Sequence, residues 1–214
     1  MNSDKEHKDK VGAGRPASAL QRMERMPVLL MMLYLGLIGV TVLFVVLLVA
    51  YARLRYSNSA PIGLYPFPRY FSLSTIVLLI SSYTISQAKR LYQQDDVQTL
   101  VRCLAATLLL SSVFAGLQVL GWRELRTQGV LVDGVASGTF VYLISGLHVV
   151  HLLGGMLFLL ALLLRTMHAA RDGVRTLVFI RNPYRRLQLH MITVYWHFID
   201  VLWVVLFAAF LFLY

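Results

Sequence analysis

The chain has 214 residues, 58% of them hydrophobic and only 14% charged, with a formal net charge of +10. Apolar runs of this length and charge density are membrane helices, and between them there is no room for a soluble nucleic-acid module. Its one cysteine, Cys103, excludes an internal disulfide, a C-x-x-C-H haem attachment and a paired-thiolate metal site, and reads as a small apolar residue at a helix start.

In chain order, residues 1–25 come first. They are polar and charged, contain Gly12, Gly14 and Pro16, and are expected to be a disordered basic cytoplasmic tail. Residues 26–214 are expected to form one membrane domain of five helices, at about 27–52, 70–90, 101–122, 136–165 and 187–213. The first is introduced by Pro27 and is too long for a signal-peptide core, so it reads as retained. Pro66 and Pro68 precede the second, which carries Ser74, Thr75, Ser81 and Ser82. Thr107, Ser111 and Gln118 share a face of the third, and Ser145, Gly154 and Gly155 lie on the fourth. Such residues let membrane helices approach closely and bond across their interface. The longest connections, Ala52 to Arg69 and Arg165 to Arg186, read as loops. Backbone groups in lipid must be satisfied within the segment, so the runs are helices, and short loops make them one antiparallel all-α bundle.

The basic residues set an orientation. Most fall in the tail, around the second connection (Lys89, Arg90, Arg102) and in the fourth (Arg165, Arg171, Arg175, Arg181, Arg185, Arg186). Few fall on the opposite side (Arg53, Arg55, Arg69, Arg123, Arg126). The positive-inside rule then puts the N-terminus in the cytoplasm and the C-terminus in the periplasm, with the basic groups against anionic headgroups.

The last run carries the most informative chemistry. Asp200 is its only acidic residue, and a carboxylate at the bilayer centre costs roughly 3 kcal/mol or more unless it is satisfied. His190, Thr193, His197 and Asp200 follow at helical spacing and share a face. On the antiparallel fourth helix, His148 comes to the same depth as Asp200. The expectation is a buried polar cluster of His148, His151, His197 and Asp200, with Asp200 as its anchor. A bis-His b-type haem between His148 and His197 is the competing reading, disfavoured because Asp200 is a ready partner for the imidazole and because the pair 148/151 does not match 190/197 in spacing. A zinc or di-metal site lacks a second carboxylate. A self-contained proton relay lacks acids in the first four helices, and a transporter lacks paired repeats and a helix broken at mid-depth.

At these residues the chain resembles subunit III of the haem-copper oxidases, in the short five-helix bacterial form of cytochrome c oxidase subunit 3. The run from Ser145 through His148 and His151 to Gly154-Gly155 resembles that family's G-x-H-x-x-H helix. Tyr195-Trp196-His197-Phe198-Ile199-Asp200-Val201-Leu202-Trp203 resembles its W-H-F-x-D-x-x-W signature, and Thr75 to Ser82 its T-x-x-L-x-x-S-S segment. Gln118 to Trp122 resembles Q-x-x-E-W, with Gly121 in place of the glutamate. The resemblance implies a non-catalytic inner-membrane subunit with no haem, copper or other metal of its own. It implies that His148, His151, His197 and Asp200 are structural, with Gln118, Ser74, Thr75 and Trp196 as interhelical polar groups. Phospholipid is the one bound cofactor implied. The implied partners are the catalytic subunit I with its haem and copper, the other oxidase subunits, membrane lipid and a supercomplex with a quinol-oxidising complex. Subunit III of a quinol oxidase and the related accessory protein of nitric oxide reductase share the same plan.

Overall fold

The computed structural model describes residues 27–57, 69–130 and 136–213; the tail at 1–25 lies outside them. The helices are α1 (Val28–Ser57), α2 (Arg69–Gln93), α3 (Val97–Thr127), α4 (Ala136–Ala169), α5 (Gly173–Arg181) and α6 (Pro183–Leu213). All but α5 are long and apolar enough to cross a membrane. No strand occurs among the described residues, so the fold is an all-α membrane bundle.

The long helices overrun their apolar cores. The 31 residues of α3 span about 46 Å, against a hydrocarbon thickness of about 30 Å. Arg102, Arg123 and Arg126 therefore sit on helical ends at headgroup level, where a long stem can lie along apolar surface with its charge in water. The ends are built by specific local chemistry. Asp95 takes a left-handed φ of 60°, and Asp96 caps α3 by accepting from Thr99 N at 3.0 Å. At the other end Gly129 (φ 84°) closes the helix: Gly129 N donates to Arg126 O, and Val130 N to Leu125 O, both at 3.1 Å.

The span Arg165 to Arg186 is not the loop that its charges suggest. The helix α4 runs on to Ala169, and Gly173–Arg181 forms the separate helix α5. A nine-residue helix is marginal alone, so it needs anchors. Thr176 supplies one, donating its N–H to Asp172 O at 2.9 Å and its hydroxyl to Ala169 O at 3.0 Å. Phe179 is buried beneath it. The Tyr92 hydroxyl, from the end of α2, donates to Ile180 O at 2.7 Å, with the Phe179 and Asn182 carbonyls at 3.2 and 3.3 Å. A side chain 88 residues away thus satisfies the end of this helix.

The buried residues follow two different patterns. On α2 they are Phe71, Ser74, Leu78, Ser81, Ile85, Ala88 and Tyr92, and α3 repeats the same alternation of three and four. That is the seam of left-handed helix packing. On α1 they are Leu30, Leu37, Phe44 and Tyr51, one residue every seven. The first helix therefore touches the bundle along a single line, through Phe44 against His151 and Tyr51 against Phe140 and Phe210. Its C-terminal end is tied to α6 by Arg55 Nε, which donates to Leu213 O at 2.7 Å.

Candidate functional site

The polar residues of the helices are spent on one another, with α2 at the centre. On its α3 side, Gln118 Nε2 donates to Ser74 Oγ at 2.9 Å, and Ser74 donates on to Phe71 O. The hydroxyls of Thr84 and Thr107 meet at 2.9 Å. On its α6 side, Trp203 Nε1 donates to Thr75 Oγ1 and Trp196 Nε1 to Ser81 Oγ, each at 3.0 Å. Ser82 Oγ and His197 Nδ1 are 2.8 Å apart. The helices α3 and α4 are joined by Trp122 Nε1 donating to Ser145 Oγ at 2.9 Å. In hydrocarbon each such bond is worth roughly 0.6–2 kcal/mol.

The four residues singled out at the bundle centre occupy different settings. His148 is fully buried between rings, its centroid 4.9 Å from that of Trp203 and 5.9 Å from that of Phe114. Neither of its nitrogens has a hydrogen-bond partner. His151 turns toward α1: its Nδ1 donates to Leu147 O at 2.8 Å, and its ring meets the Phe44 ring edge-on. His197 faces α2 and Ser82. Asp200 is 3% exposed, and no hydrogen bond reaches either carboxylate oxygen, although the Ser82 hydroxyl adjoins it. His148 lies level with Trp203, one turn along from Asp200, so the two unsatisfied residues belong to one stratum of the bundle.

The aromatic rings around His148 decide what this stratum can do. A haem ligand needs its ring edge clear toward a macrocycle, whereas this imidazole is packed among aromatic rings. Among the described residues no group of three or more His, Cys, Asp or Glu is placed to hold a metal ion. Thr193 only bonds back to Leu189 O, and His190 lines a surface groove with Lys89 and Arg186 at the basic end. The side-chain hydrogen bonds from Gln118–Ser74 to Ser82–His197 run between helices.

Reasoning from spacing named the hydroxyls and Gln118 but missed several of their partners. Tyr195 donates to His151 O at 2.8 Å across α4 and α6, and Trp203, Trp122 and Thr84 each complete a pair. Their signal is faint, because an indole or phenol in a membrane helix is equally at home facing lipid headgroups. Close approach is visible at two glycines. A Cβ on Gly155 would lie 2.6 Å from Tyr195 Cε1, and one on Gly121 would strike the Phe71 ring. The absent glutamate of the Q-x-x-E-W pattern thus falls where no side chain fits against Phe71.

Fold and site together define a multi-pass membrane subunit whose intramembrane polar groups join helices. The family model "Cytochrome c oxidase subunit III" matches residues 31–214. The chain is 32% identical to cytochrome c oxidase subunit 3 of Bacillus sp. (strain PS3) over 180 residues, covering 83% of this chain and 81% of that one. It is 30% identical to the Bacillus subtilis (strain 168) protein of the same name over 183 residues, with the same coverage. It is also 29% identical to the probable cytochrome c oxidase subunit 3 of Mycobacterium tuberculosis (strain ATCC 25618 / H37Rv) over 139 residues, 65% of this chain and 64% of that one. The chain belongs to the cytochrome c oxidase subunit III family, and is a non-catalytic membrane subunit that associates with other oxidase subunits.

Proposed function

We propose that this chain is the architectural subunit of a proton-translocating haem-copper oxidase. It packs against the catalytic subunit I, which carries the haem and copper, and lengthens the working life of the complex. The observation that carries this reading is the run of interhelical bonds from Gln118–Ser74 to Ser82–His197, which uses polar residues to fix helix positions. His197 is part of that run, and His148, His151 and Asp200 act as structural residues packed beside it. Residues 26–214 form one membrane domain, with the N-terminus and the basic connections in the cytoplasm and the C-terminus in the periplasm. Phospholipid fills the apolar grooves of the surface, one of which, of about 260 Å³, lies over Gly154, Gly155 and Tyr195. The electron donor is cytochrome c, in line with the names of the relatives, and the complex joins a quinol-oxidising partner in a supercomplex.

The test is affinity purification of this chain in mild detergent, with a visible spectrum and a census of co-purifying subunits. Haem a with a large catalytic partner is the expected result. Haem b with a nitric oxide reductase partner would replace the assignment, and haem held by this chain alone would overturn the structural reading of His148 and His197.

A further inference from the structure

Ionisable side chains inside a membrane face the interior of a bundle or pair with one another, and His197 is satisfied on one side only. It lies about 17 Å along α6 from Arg186, close to the middle of a hydrocarbon layer of about 30 Å. Its ring is half-buried, at the edge of the seam between α2 and α6. Among the described residues the one hydrogen bond of this ring engages Nδ1, with Ser82 Oγ at 2.8 Å. The second nitrogen, Nε2, is left over at the surface of the bundle. Either tautomer of the imidazole leaves Nε2 with one bond unmade, as donor or as acceptor.

The surface around it mixes polar and apolar groups. On α2, Ser82 is flanked at helical spacing by Leu79 and Ser86, both exposed, and the adjacent Tyr83 is 69% exposed. On α6, Val201 and Val205 continue the His197 face and are 63% and 50% exposed. The outer face of α4 is a contrast: there Val150, Leu153 and Leu157 make an exposed aliphatic stripe. Acyl chains satisfy such a stripe, but they offer nothing to an imidazole nitrogen at mid-depth.

We propose that the α2–α6 face around Ser82 and His197 is covered by a transmembrane helix of a neighbouring subunit, which presents a hydroxyl or carboxamide to His197 Nε2. Both groups can donate and accept, so either serves either tautomer. Leu79, Val201 and Val205 supply apolar area around that bond. The inference rests on the oxidase-subunit reading above and gives the contact a face and a chemistry.

The test uses the complex purified through this chain in mild detergent. The photo-crosslinker p-benzoylphenylalanine in place of Val201 should join this chain to another polypeptide of the complex, identified by mass spectrometry. The same probe in place of Val150 should not. Two variants read the chemistry, since a Gln side chain carries its amide to the place of Nε2 and an Asn side chain to that of Nδ1. His197→Gln should hold the neighbouring subunit within about twofold of wild type, and His197→Asn should lower its co-purification about threefold or more. No cross-link from position 201, equal cross-linking from both positions, a cross-link only to a second copy of this chain, or Gln no better than Asn would each overturn the proposal. The cross-links decide the face whatever the yield of the two variants. The visible spectrum reports separately on the oxidase assignment. Haem a with position 201 silent would remove the face alone, and a cross-linked partner without haem would remove the oxidase assignment alone.

Discussion

Trp203 on α6 donates its indole N–H to Thr75 Oγ1 on α2 at 3.0 Å, and Thr75 donates in turn to Phe71 O at 2.8 Å. The indole is fully buried, so its only alternative is an unpaired donor in a dry interior. Thr75→Val keeps the shape and removes the acceptor. It should destabilise the folded chain by about 1 kcal/mol, while Thr75→Ser should be near wild type. Thermal unfolding of the purified protein in detergent measures the difference, and equal midpoints for Val and Ser would dismiss the bond as a contributor.

Gly154 and Gly155 are neighbours with different surroundings. A Cβ at 154 meets only the Tyr195 hydroxyl at 4.0 Å, whereas one at 155 falls 2.6 Å from the Tyr195 ring. That ring cannot swing aside freely, because its hydroxyl is held by His151 O. Gly155→Ala should therefore destabilise by about 1–3 kcal/mol, and Gly154→Ala should be neutral or slightly stabilising. The amount of each variant that survives size-exclusion chromatography after mild heating would separate them.

Asp200 carries the one carboxylate buried in α6, without a hydrogen bond to either oxygen. Asp200→Asn keeps its size and removes the charge. The haem spectrum of the purified complex should be unchanged, and because the change breaks no bond and removes an unpaired buried charge, this subunit should be retained at least as well as in the wild type. Loss of a haem band with the subunit still bound would be incompatible with a structural role.

Outside the membrane, Asp96 caps α3. The Thr99 hydroxyl and then the Thr99 N–H hold its carboxyl below the usual carboxylate range. A depressed folded-state value stabilises the cap above the unfolded pKa, about 3.9, and this contribution is lost as pH falls through the folded value. Acidification below about pH 4 should therefore fray the start of α3. Asp96→Asn should keep a pH-independent cap and Asp96→Ala should lose it at every pH, as read by amide exchange at Val97 to Leu100.

Tyr92→Phe removes the hydroxyl that holds the end of α5. Exchange of the amides in Gly173–Arg181 should rise, with a loss of about 1 kcal/mol and no change in α2. Protection equal to wild type would mean that burial of Phe179 is enough to hold α5.

The membrane helices could be read from the sequence because lipid imposes a minimum apolar length, and runs such as Val28 to Tyr51 meet it without ambiguity. The hydroxyl stripes of α2 and α3 could be read because helical spacing alone brings Ser74 and Ser81, or Thr107 and Gln118, onto one face. The existence of α5 could not, since it depends on Tyr92 reaching it from another helix. The separate settings of His148, His151 and His197 were equally hidden. Spacing along one helix gives a face, and which neighbour occupies that face is decided by packing, here by the rings of Trp203, Phe114 and Phe44.

The single line of contact on α1 also bears on the order in which the molecule is built. Its partners are His151 and Phe140 on α4 and Phe210 on α6, with Leu213 holding Arg55. All of them are synthesised later. Among the described helices, the first to be synthesised is therefore the last to find its place. It waits in lipid as a lone apolar span while α2 and α3 close into a hairpin. A chain cut short before Phe210 would keep that hairpin and leave α1 without the anchor at its C-terminal end, open to the membrane's quality-control proteases.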